Sequence, residues 1–514
     1  MIQLGRNIKL NVRPIYITLA HEYAFEGPCR AGAGEELKKA FDDKCNNKLV
    51  MNAESVINDN ITDEINLLEP IRIERNEEFM VTPSLISRMS KDNEEIDVYL
   101  ISALTRLGDL IIDFAQKTKK PVVLVPSPVC MQTIMTAAMR ARELESYSFR
   151  TWKETINFLE VLRVKKILAS TRVLCAPRFG TTRSVSDMAN FKDLEQVSEK
   201  LGTQFSFVNI HELIDQTQIV NPCNNVSIPG RKGLNPCGSE IKAISETADK
   251  LIEGAEECDM SKEELINSLR PHTTIKKMLE HYECNAFTAP CPDACATMRL
   301  NDERYTFCLT HTLLSEEGIP SSCEYDISAV LTMAILSGFA DAPAYMGNTT
   351  HDALAIASGT SGLPPFFNKP LSKDCMAMIK NDPENIILTW HAVPRRNMKG
   401  YDQPKQAYAI RPFTASGFGA TIRYDFNNDN GTVITMARID PACEKLFIAR
   451  GEIIGGIGYD DYSCSEGVFF RVADGNDFYQ KQLNFGNHVP LVYGDYIDKL
   501  KLLGKQLGLE VIIA

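Results

Sequence analysis

Basic residues are fewer than acidic ones in this chain, and no long apolar run is present. The 514 residues include 55 Lys and Arg against 67 Asp and Glu, a formal net charge of −12 at pH 7. This balance argues against nucleic acid or an anionic membrane surface as the main partner. No apolar run approaches the roughly 18 residues that cross a bilayer. Arg6, Lys9 and Arg13 interrupt the first segment, so no signal peptide is expected. We therefore expect a cytoplasmic protein with neither a nucleic-acid nor a membrane partner.

Cysteine, by contrast, is frequent, with 15 residues in the chain. In a reducing compartment most cysteines are free and buried, where they act as small hydrophobic residues. The group of Cys284, Cys291 and Cys295 has the spacing CX6CX3C, which lacks the second CxxC pair of a zinc site. We therefore favour packing or loop structure over metal binding for this group.

The length exceeds what one hydrophobic core usually spans, so two or three domains are expected. In residues 1–170, short apolar strands such as 97–102 and 121–126 alternate with helical segments. This alternation predicts a parallel sheet with crossover helices. Residues 171–300 repeat the pattern as a second α/β domain. Residues 301–514 hold several β-rich runs and predict a mixed α+β, barrel-like domain. The predicted fold class is therefore α/β with three domains.

The most informative segment is 323–348, which reads CEYDISAVLTMAILSGFADAPAYMGN. Glu324 and Asp326 stand at the head of an apolar helix, whose apolar residues recur with a 3.6-residue period as one buried face. Gly338 fits the end of that helix. A short apolar run then leads to Asn348. Acidic residues at the mouth of a packed element, with a polar residue at the end of the next strand, predict a metal or acid/base site.

Several motifs that occur in a fixed order resemble the L-fucose isomerase family, more closely its L-fucose isomerase-like branch. The resemblance covers roughly residues 160–514, whereas the first segment shares only the alternation of strands and helices. The motifs are VLRVKKIL-x3-RVL (161–174), CNAFT (284–288), GIPSSCEYD (318–326), ILTWHAVP (387–394), GTVITMARID (431–440) and NHVPLVYGD (487–495).

The resemblance implies two Rossmann-like parallel-sheet domains, followed by a C-terminal domain that carries a metal site. It implies an enzyme that interconverts an aldose and its ketose with Mn²⁺, or with another divalent cation such as Co²⁺ or Mg²⁺. Such a cation stabilises the negative charge of an enediolate intermediate. The expected partner is therefore a small sugar substrate. The resemblance also implies a homo-oligomer, commonly a hexamer.

The family's metal ligands are a Glu, an Asp and a His. The resemblance places them on Glu324, Asn348 and His488. Asn348 departs from the pattern, because an amide oxygen can bind a cation but carries no charge and accepts no proton at neutral pH. Asp326 or Asp352 are alternative sources of a nearby carboxylate. A carboxylate can move the proton between the two carbons, and Glu324 or Asp326 is expected to do so.

Four further residues are candidates with two interpretations each. Asp326 is either a catalytic acid/base beside Glu324 or a charge that favours the first turn of the helix. His391 follows the strand ILTW and either binds substrate or is a packed histidine. Arg395 and Arg396 form either a solvated basic loop or a substrate clamp for a carboxylate, phosphate or sulfonate.

Three functions follow from these observations. The leading hypothesis is a metal-dependent isomerase of a free pentose, hexose or deoxyhexose. The alternative is a metal-dependent lyase, epimerase or decarboxylase that acts on a sugar acid or a related polar acid, for which Asn348 and the arginine pair are the reason. The third is a sugar-binding protein without catalytic activity on an isomerase scaffold.

Overall fold

The computed structural model describes residues 2–19, 38–75, 83–103, 109–126, 131–184, 188–220, 233–360, 371–462, 464 and 466–514. The chain divides into two compact units. The smaller unit comprises Ile8–Arg163, and the larger comprises the residues before Ile8 together with Val164–Ala514. Among the helices of the described ranges, none combines the length and the apolar character that a membrane span requires.

The smaller unit is a parallel α/β structure. Its strands are Leu10–Leu19 (β1), Ile65–Leu67 (β2), Ile71–Arg75 (β3), Val98–Ala103 (β4), Val122–Leu124 (β5) and Ser146–Ser148 (β6). Its helices are Lys39–Asn60 (α1), Pro83–Met89 (α2), Asp109–Thr118 (α3), Met131–Arg140 (α4) and Trp152–Ala169 (α5), the last of which continues into the larger unit. The strands pair in parallel in the order β2-β1-β4-β5-β6, and β3 also pairs with β1.

Strand β4 shows why this sheet is buried on both faces. Side chains alternate across a strand, and Tyr99 and Ile101 join one core cluster while Val98 and Leu100 join another. All four side chains are apolar and at most 1% exposed. A strand that is covered on both faces appears in the sequence as a continuous apolar run, and the β4 segment shows such a run. The predicted parallel sheet is confirmed.

The larger unit contains fourteen strands within the described ranges. They are Arg172–Cys175 (β7), Gln204–Phe207 (β8), Glu257–Cys258 (β9), Ala286–Thr288 (β10), Ser321–Ser322 (β11), Asn348–Thr350 (β12), Ile386–Trp390 (β13), Ala409–Pro412 (β14), Ala420–Arg423 (β15), Val433–Ile439 (β16), Lys445–Ile457 (β17), Gly467–Arg471 (β18), Leu491–Tyr493 (β19) and Glu510–Ile513 (β20).

Twelve α-helices accompany these strands in the described part of the larger unit. They are Leu194–Leu201 (α6), Ile210–Gln216 (α7), Ser239–Gly254 (α8), Lys262–His281 (α9), Cys291–Cys295 (α10), Arg299–Glu303 (α11), Cys308–Glu316 (α12), Ile327–Ala340 (α13), Ala353–Ser358 (α14), Lys373–Asn381 (α15), Gly475–Gln482 (α16) and Ile497–Gln506 (α17).

Three sheets organise the larger unit. A parallel four-stranded sheet has the order β11-β10-β7-β8. A mixed seven-stranded sheet has the order β12-β13-β18-β17-β16-β19, antiparallel except for β20, which pairs in parallel with β17. A small sheet has the order β15-β14-β9. Because β11 joins the parallel sheet and β9 joins the small one, two sheets draw strands from both sides of the predicted boundary at residue 300. The three-domain layout and the barrel-like form stay predictions.

Helix α13 connects the parallel sheet to the mixed sheet. It contacts β10 and β11 of the parallel sheet and β16 and β19 of the mixed sheet, and every residue from Ile327 to Leu336 is buried. The prediction of a single buried face was therefore wrong, because the helix lies between two sheets. Gly338 does not end the helix but lies inside it, where an added Cβ would come 3.2 Å from Ile167 and Val164. The helix ends at Ala340, and its C-cap residue Asp341 has a φ of 45°.

Candidate metal centre

The turn that carries Glu324 follows the end of β11, at the carboxyl edge of the parallel sheet. Glu324 and Tyr325 have consecutive φ values of 59° and 63°, a left-handed conformation that costs a non-glycine residue about 1–3 kcal/mol. Hydrogen bonds from three directions hold this turn. Tyr325 N–H donates to Ala289 O at 3.0 Å, Asn190 Nδ2 donates to Tyr325 O at 2.8 Å, and Ser184 Oγ donates to Glu324 O at 3.1 Å.

Two histidines converge on the carboxylate of Glu324. His391 Nε2 lies 3.4 Å from Glu324 Oε1, and His488 Nε2 lies 3.5 Å from Glu324 Oε2. The two imidazole rings have centroids 5.8 Å apart and are tilted by 58°. One ligand atom from each of the three residues lies within 4.8 Å of the others. Within the described ranges, this is the one group of three or more histidine, cysteine or acidic side chains that meets this criterion.

The three residues come from distant parts of the chain. Glu324 lies between β11 and α13, His391 follows β13 directly, and His488 lies three residues before β19. An isolated antiparallel bridge between Asn348 and His488 fixes the last of these segments against β12. The sheets therefore bring together side chains that are up to 164 positions apart in the sequence.

Both imidazoles are buried, with His391 1% and His488 0% exposed, whereas the Glu324 side chain is 18% exposed. Among the described residues, neither Nε2 atom nor His391 Nδ1 completes a hydrogen bond. Buried polar atoms are nearly always paired, so unpaired ones point to a ligand or an ion. One carboxylate with two imidazoles is a donor set that suits a divalent transition metal.

A second carboxylate orients His488 from behind. Asp326 Oδ2 lies 2.9 Å from His488 Nδ1 and accepts from Arg438 Nη1 at 2.5 Å. Asp326 Oδ1 accepts from Ala329 N at 2.8 Å and so caps helix α13. Arg438 Nη1 also donates to His488 O at 2.7 Å. Carboxylates that hold the remote nitrogen of a metal-binding histidine fix its tautomer and orientation.

Charges in the centre shift three pKa values. Burial alone would raise the pKa of Glu324, but the close contacts and charge interactions of its carboxylate with His391 and His488 outweigh burial and hold the pKa well below its ordinary value. Burial would also raise the pKa of Asp326, and Arg438 with His488 lowers it instead. Burial would lower the pKa of His488, but Asp326 and Glu324 raise it. Both carboxylates are therefore ionised at neutral pH and can interact with cations.

Asn348 lies beside the centre, and another side chain occupies its amide oxygen. Its side-chain Oδ1 accepts a hydrogen bond from Asn487 Nδ2, although the backbone bridge sets it opposite His488. His391, for which the sequence left substrate binding and packing open, joins Glu324 and His488 in the candidate triad. Its place directly after β13 was the sequence signal for a functional residue. Asp352 is exposed and caps helix α14 through Ala355 N.

The predicted arginine pair is buried, so the interpretation as a solvated loop was wrong. Arg396 is held by Glu316: its Nε donates to Oε1 at 2.9 Å, its Nη2 to Oε2 at 2.6 Å, and its backbone N to Oε1 at 2.8 Å. Its guanidinium also lies over the ring of Tyr408. The Glu316 carboxylate thus occupies the Arg396 guanidinium donors that a substrate anion would need. Arg395 is placed differently, with Nη2 donating to Ser315 Oγ and Ser321 O.

The predicted cysteine group is divided in the structure. Cys284 Sγ donates to Tyr282 O, whereas the Cys291 thiol hydrogen-bonds with Cys295 and with Cys323. These thiols are free. No three thiols in the described ranges lie close enough together to share an ion.

Comparison with known proteins assigns no family. No protein-family model matches the chain, and no curated protein is similar to it. The resemblance to the L-fucose isomerase family therefore stays a prediction, and the geometry of the centre indicates a metal-binding group only.

Proposed function

We propose that this protein is a divalent-metal-dependent aldose–ketose isomerase that acts on a small sugar. The observation that carries the proposal is the convergence of Glu324, His391 and His488, whose ligand atoms lie within 4.8 Å of one another. Two of these residues, Glu324 and His488, are those to which the family resemblance assigns metal binding. The orienting contact of Asp326 with His488 supports the same role.

The donor set fits a transition metal better than Mg²⁺. Glu324 offers a carboxylate oxygen, while His391 and His488 offer buried Nε2 atoms that complete no hydrogen bond in the described structure. Mg²⁺ prefers oxygen ligands in octahedral geometry, whereas imidazole suits transition metals and carboxylate suits Mn²⁺. We therefore favour Mn²⁺ or Co²⁺.

A bound divalent cation would polarise two neighbouring substrate oxygens and stabilise the negative charge that develops as the proton leaves. The protein supplies the placement of its ligands: Asp326 orients His488, and Asn190 and Ser184 hold the turn of Glu324. Both Asp326 oxygens are engaged. We assign proton transfer to Glu324, whose side chain is 18% exposed and can therefore reach a substrate.

The test measures Mn²⁺ binding and turnover separately. Isothermal titration with Mn²⁺ should give one site per chain in the wild type, and about 100-fold or weaker affinity in Glu324→Gln, His391→Gln and His488→Gln. His351→Gln is the matched control, because His351 packs against Tyr479 and is not in the triad. The wild type with Mn²⁺ should then convert at least one member of a panel of aldoses to its ketose. A folded protein that binds no divalent cation would refute the proposal.

A second candidate function has one observation in its favour. Arg395 is buried and makes no ion pair with a described carboxylate, so it could hold an acidic substrate. The same centre would then serve a lyase, epimerase or decarboxylase of a sugar acid. Product analysis by NMR separates these outcomes, because only isomerisation moves the carbonyl from C1 to C2 without loss of carbon or water.

A further inference from the structure

Arg395 differs from the other deeply buried arginines of the larger unit. Arg396 pairs with Glu316 at 2.6 Å and Arg438 pairs with Asp326 at 2.5 Å. Arg395 is 0% exposed, and its Nη2 donates only to Ser315 Oγ at 3.0 Å and Ser321 O at 3.2 Å within the described structure.

Two donors of Arg395, at Nε and Nη1, have no hydrogen-bond partner among the described residues. A buried charge without a counter-charge is strongly unfavourable, and this cost falls when an anion binds. Burial is the main reason that the pKa of Arg395 is lowered, to about 10, so the side chain is still charged at neutral pH. No described carboxylate forms an ion pair with Arg395, because the oxygens of Glu316, which act on it through charge, are engaged by Arg396. A buried guanidinium in this setting is an anion-binding group.

Arg395 lies next to the segments that build the metal centre. Its Nη2 bonds the backbone of Ser321 in β11, three residues before Glu324. It also lies four residues after His391 along the chain. The guanidinium is therefore tied to the strand that carries one candidate ligand and to the loop that carries another.

A buried histidine shares this location. His311 Nδ1 lies 2.7 Å from Ser321 Oγ, and its ring stacks on Phe287 with centroids 5.7 Å apart. Its Nε2 has no hydrogen-bond partner in the described ranges. Burial, followed by the charges of Arg395 and His391, lowers its pKa well below the ordinary value. In the tautomer in which Nδ1 accepts from Ser321 Oγ, a neutral His311 carries its proton on Nε2 and can donate it to an anion.

We propose that Arg395 and His311 form an anion subsite beside the metal centre, so that the substrate is an aldose that carries a carboxylate, phosphate or sulfonate remote from the reacting carbons. This inference rests on the proposed function. Charge-assisted hydrogen bonds from arginine are about twice as strong as neutral ones. Fixing one end of the sugar in this way would hold its C1 and C2 oxygens at the centre.

The test compares acidic and neutral aldoses in four proteins: wild type, Arg395→Met, Arg395→Lys and Arg411→Met. Arg411 is the control, a buried arginine that pairs with Glu257, Asp259 and Asp460 away from the triad. The probes are an aldose, its uronate, its terminal phosphate and its terminal sulfonate. In the wild type, kcat/KM should favour at least one anionic probe over the neutral aldose by about 10- to 100-fold, the worth of one charged hydrogen bond.

Arg395→Met should abolish this preference and leave the neutral aldose within about threefold, while Arg395→Lys retains part of the preference and Arg411→Met all of it. Urea denaturation should show Arg395→Met at least as stable as the wild type, because an unpaired buried charge has been removed. Equal turnover of neutral and anionic aldoses in the wild type would overturn the subsite and leave the isomerase proposal intact.

Binding without turnover gives an independent readout. In Glu324→Gln, which is expected to lose the metal, the preferred anionic probe should still raise the Tm, and Arg395→Met should cancel that rise. If the wild type binds Mn²⁺ but turns over no sugar, this shift decides the inference alone: a shift that depends on Arg395 supports it, and no shift with any anion refutes it. A Tm shift that is identical with inorganic phosphate or acetate indicates an adventitious ion only and also refutes it.

Discussion

Asp326 connects the metal centre to the stability of the fold, and Asp326→Asn tests both. The carboxylate accepts three hydrogen bonds, from Ala329 N, Arg438 Nη1 and His488 Nδ1. An amide has one oxygen and one NH₂ group, so either orientation turns a donor toward a donor. The variant also leaves Arg438, which is 0% exposed, without its counter-charge.

The expected loss of unfolding free energy is about 3–5 kcal/mol, the range for breaking one side of a buried ion pair. Removal of the group that orients a metal-binding histidine should weaken Mn²⁺ binding by about 10- to 100-fold, which corresponds to about 1.4–2.8 kcal/mol. Urea denaturation of the metal-free protein measures the first quantity. Isothermal titration with Mn²⁺ in the absence of urea measures the Mn²⁺ affinity. Circular dichroism verifies that the variant is folded.

Asp352→Asn is the matched control. Asp352 also caps a helix, through Ala355 N at 2.9 Å, but it is exposed and makes no ion pair in the described structure. Because Asn caps a helix as well as Asp does, this variant should change neither stability nor Mn²⁺ affinity measurably. Replacing Arg438 by Met in the Asp326→Asn background should restore part of the stability, since no buried charge is then left. The reasoning fails if Asp326→Asn has the urea midpoint and the Mn²⁺ affinity of the wild type.

Two further predictions concern the frame around the centre. The Glu316 carboxylate is buried, which would raise its pKa, yet Arg396 and Lys405 hold it below the ordinary value of 4.5. The contribution of the ionised carboxylate to the free energy of unfolding is therefore present above pH 4.5 and lost as the pH falls through the lowered pKa. Glu316→Gln should thus lose about 3–5 kcal/mol of unfolding free energy at pH 7 and differ less from the wild type in acid. Urea denaturation curves of both proteins at pH 7 and pH 3.5 check this. Asn190→Ala removes the donor to Tyr325 O and the acceptor for Phe191 N. It should lower the free energy of unfolding by about 1–3 kcal/mol and weaken Mn²⁺ binding. Unchanged Mn²⁺ affinity would show that the Glu324 turn does not depend on Asn190.

Local pattern was sufficient to predict helix α13 and strands β4 and β5. The apolar segment after Asp326 predicted helix α13, and the capping role of Asp326 follows from its place before the first apolar turn. Strands β4 and β5 were predicted from short apolar runs. These features depend on neighbours within a few residues, which the sequence displays directly.

The interpretation of Gly338 and of the arginines needed the fold. Gly338 lies inside α13 because Val164 and Ile167 pack against that point of the helix, and nothing in the local sequence indicates this contact. Arg395 and Arg396 are adjacent in the sequence, yet one meets serines and the other meets Glu316. Which side chain finds a counter-charge depends on residues about 80 positions away.

The sequence alone determined the alternation of apolar strands with helices, the acidic residue Glu324 before helix α13 and the histidine at 488, because periodicity and residue type are local properties. Only the tertiary structure decided that His391 joins them, since sheet pairing sets the distance between segments that the sequence separates by 67 and 97 positions. An ion needs donors within a few ångströms of one point, and that condition is met in space, not along the chain.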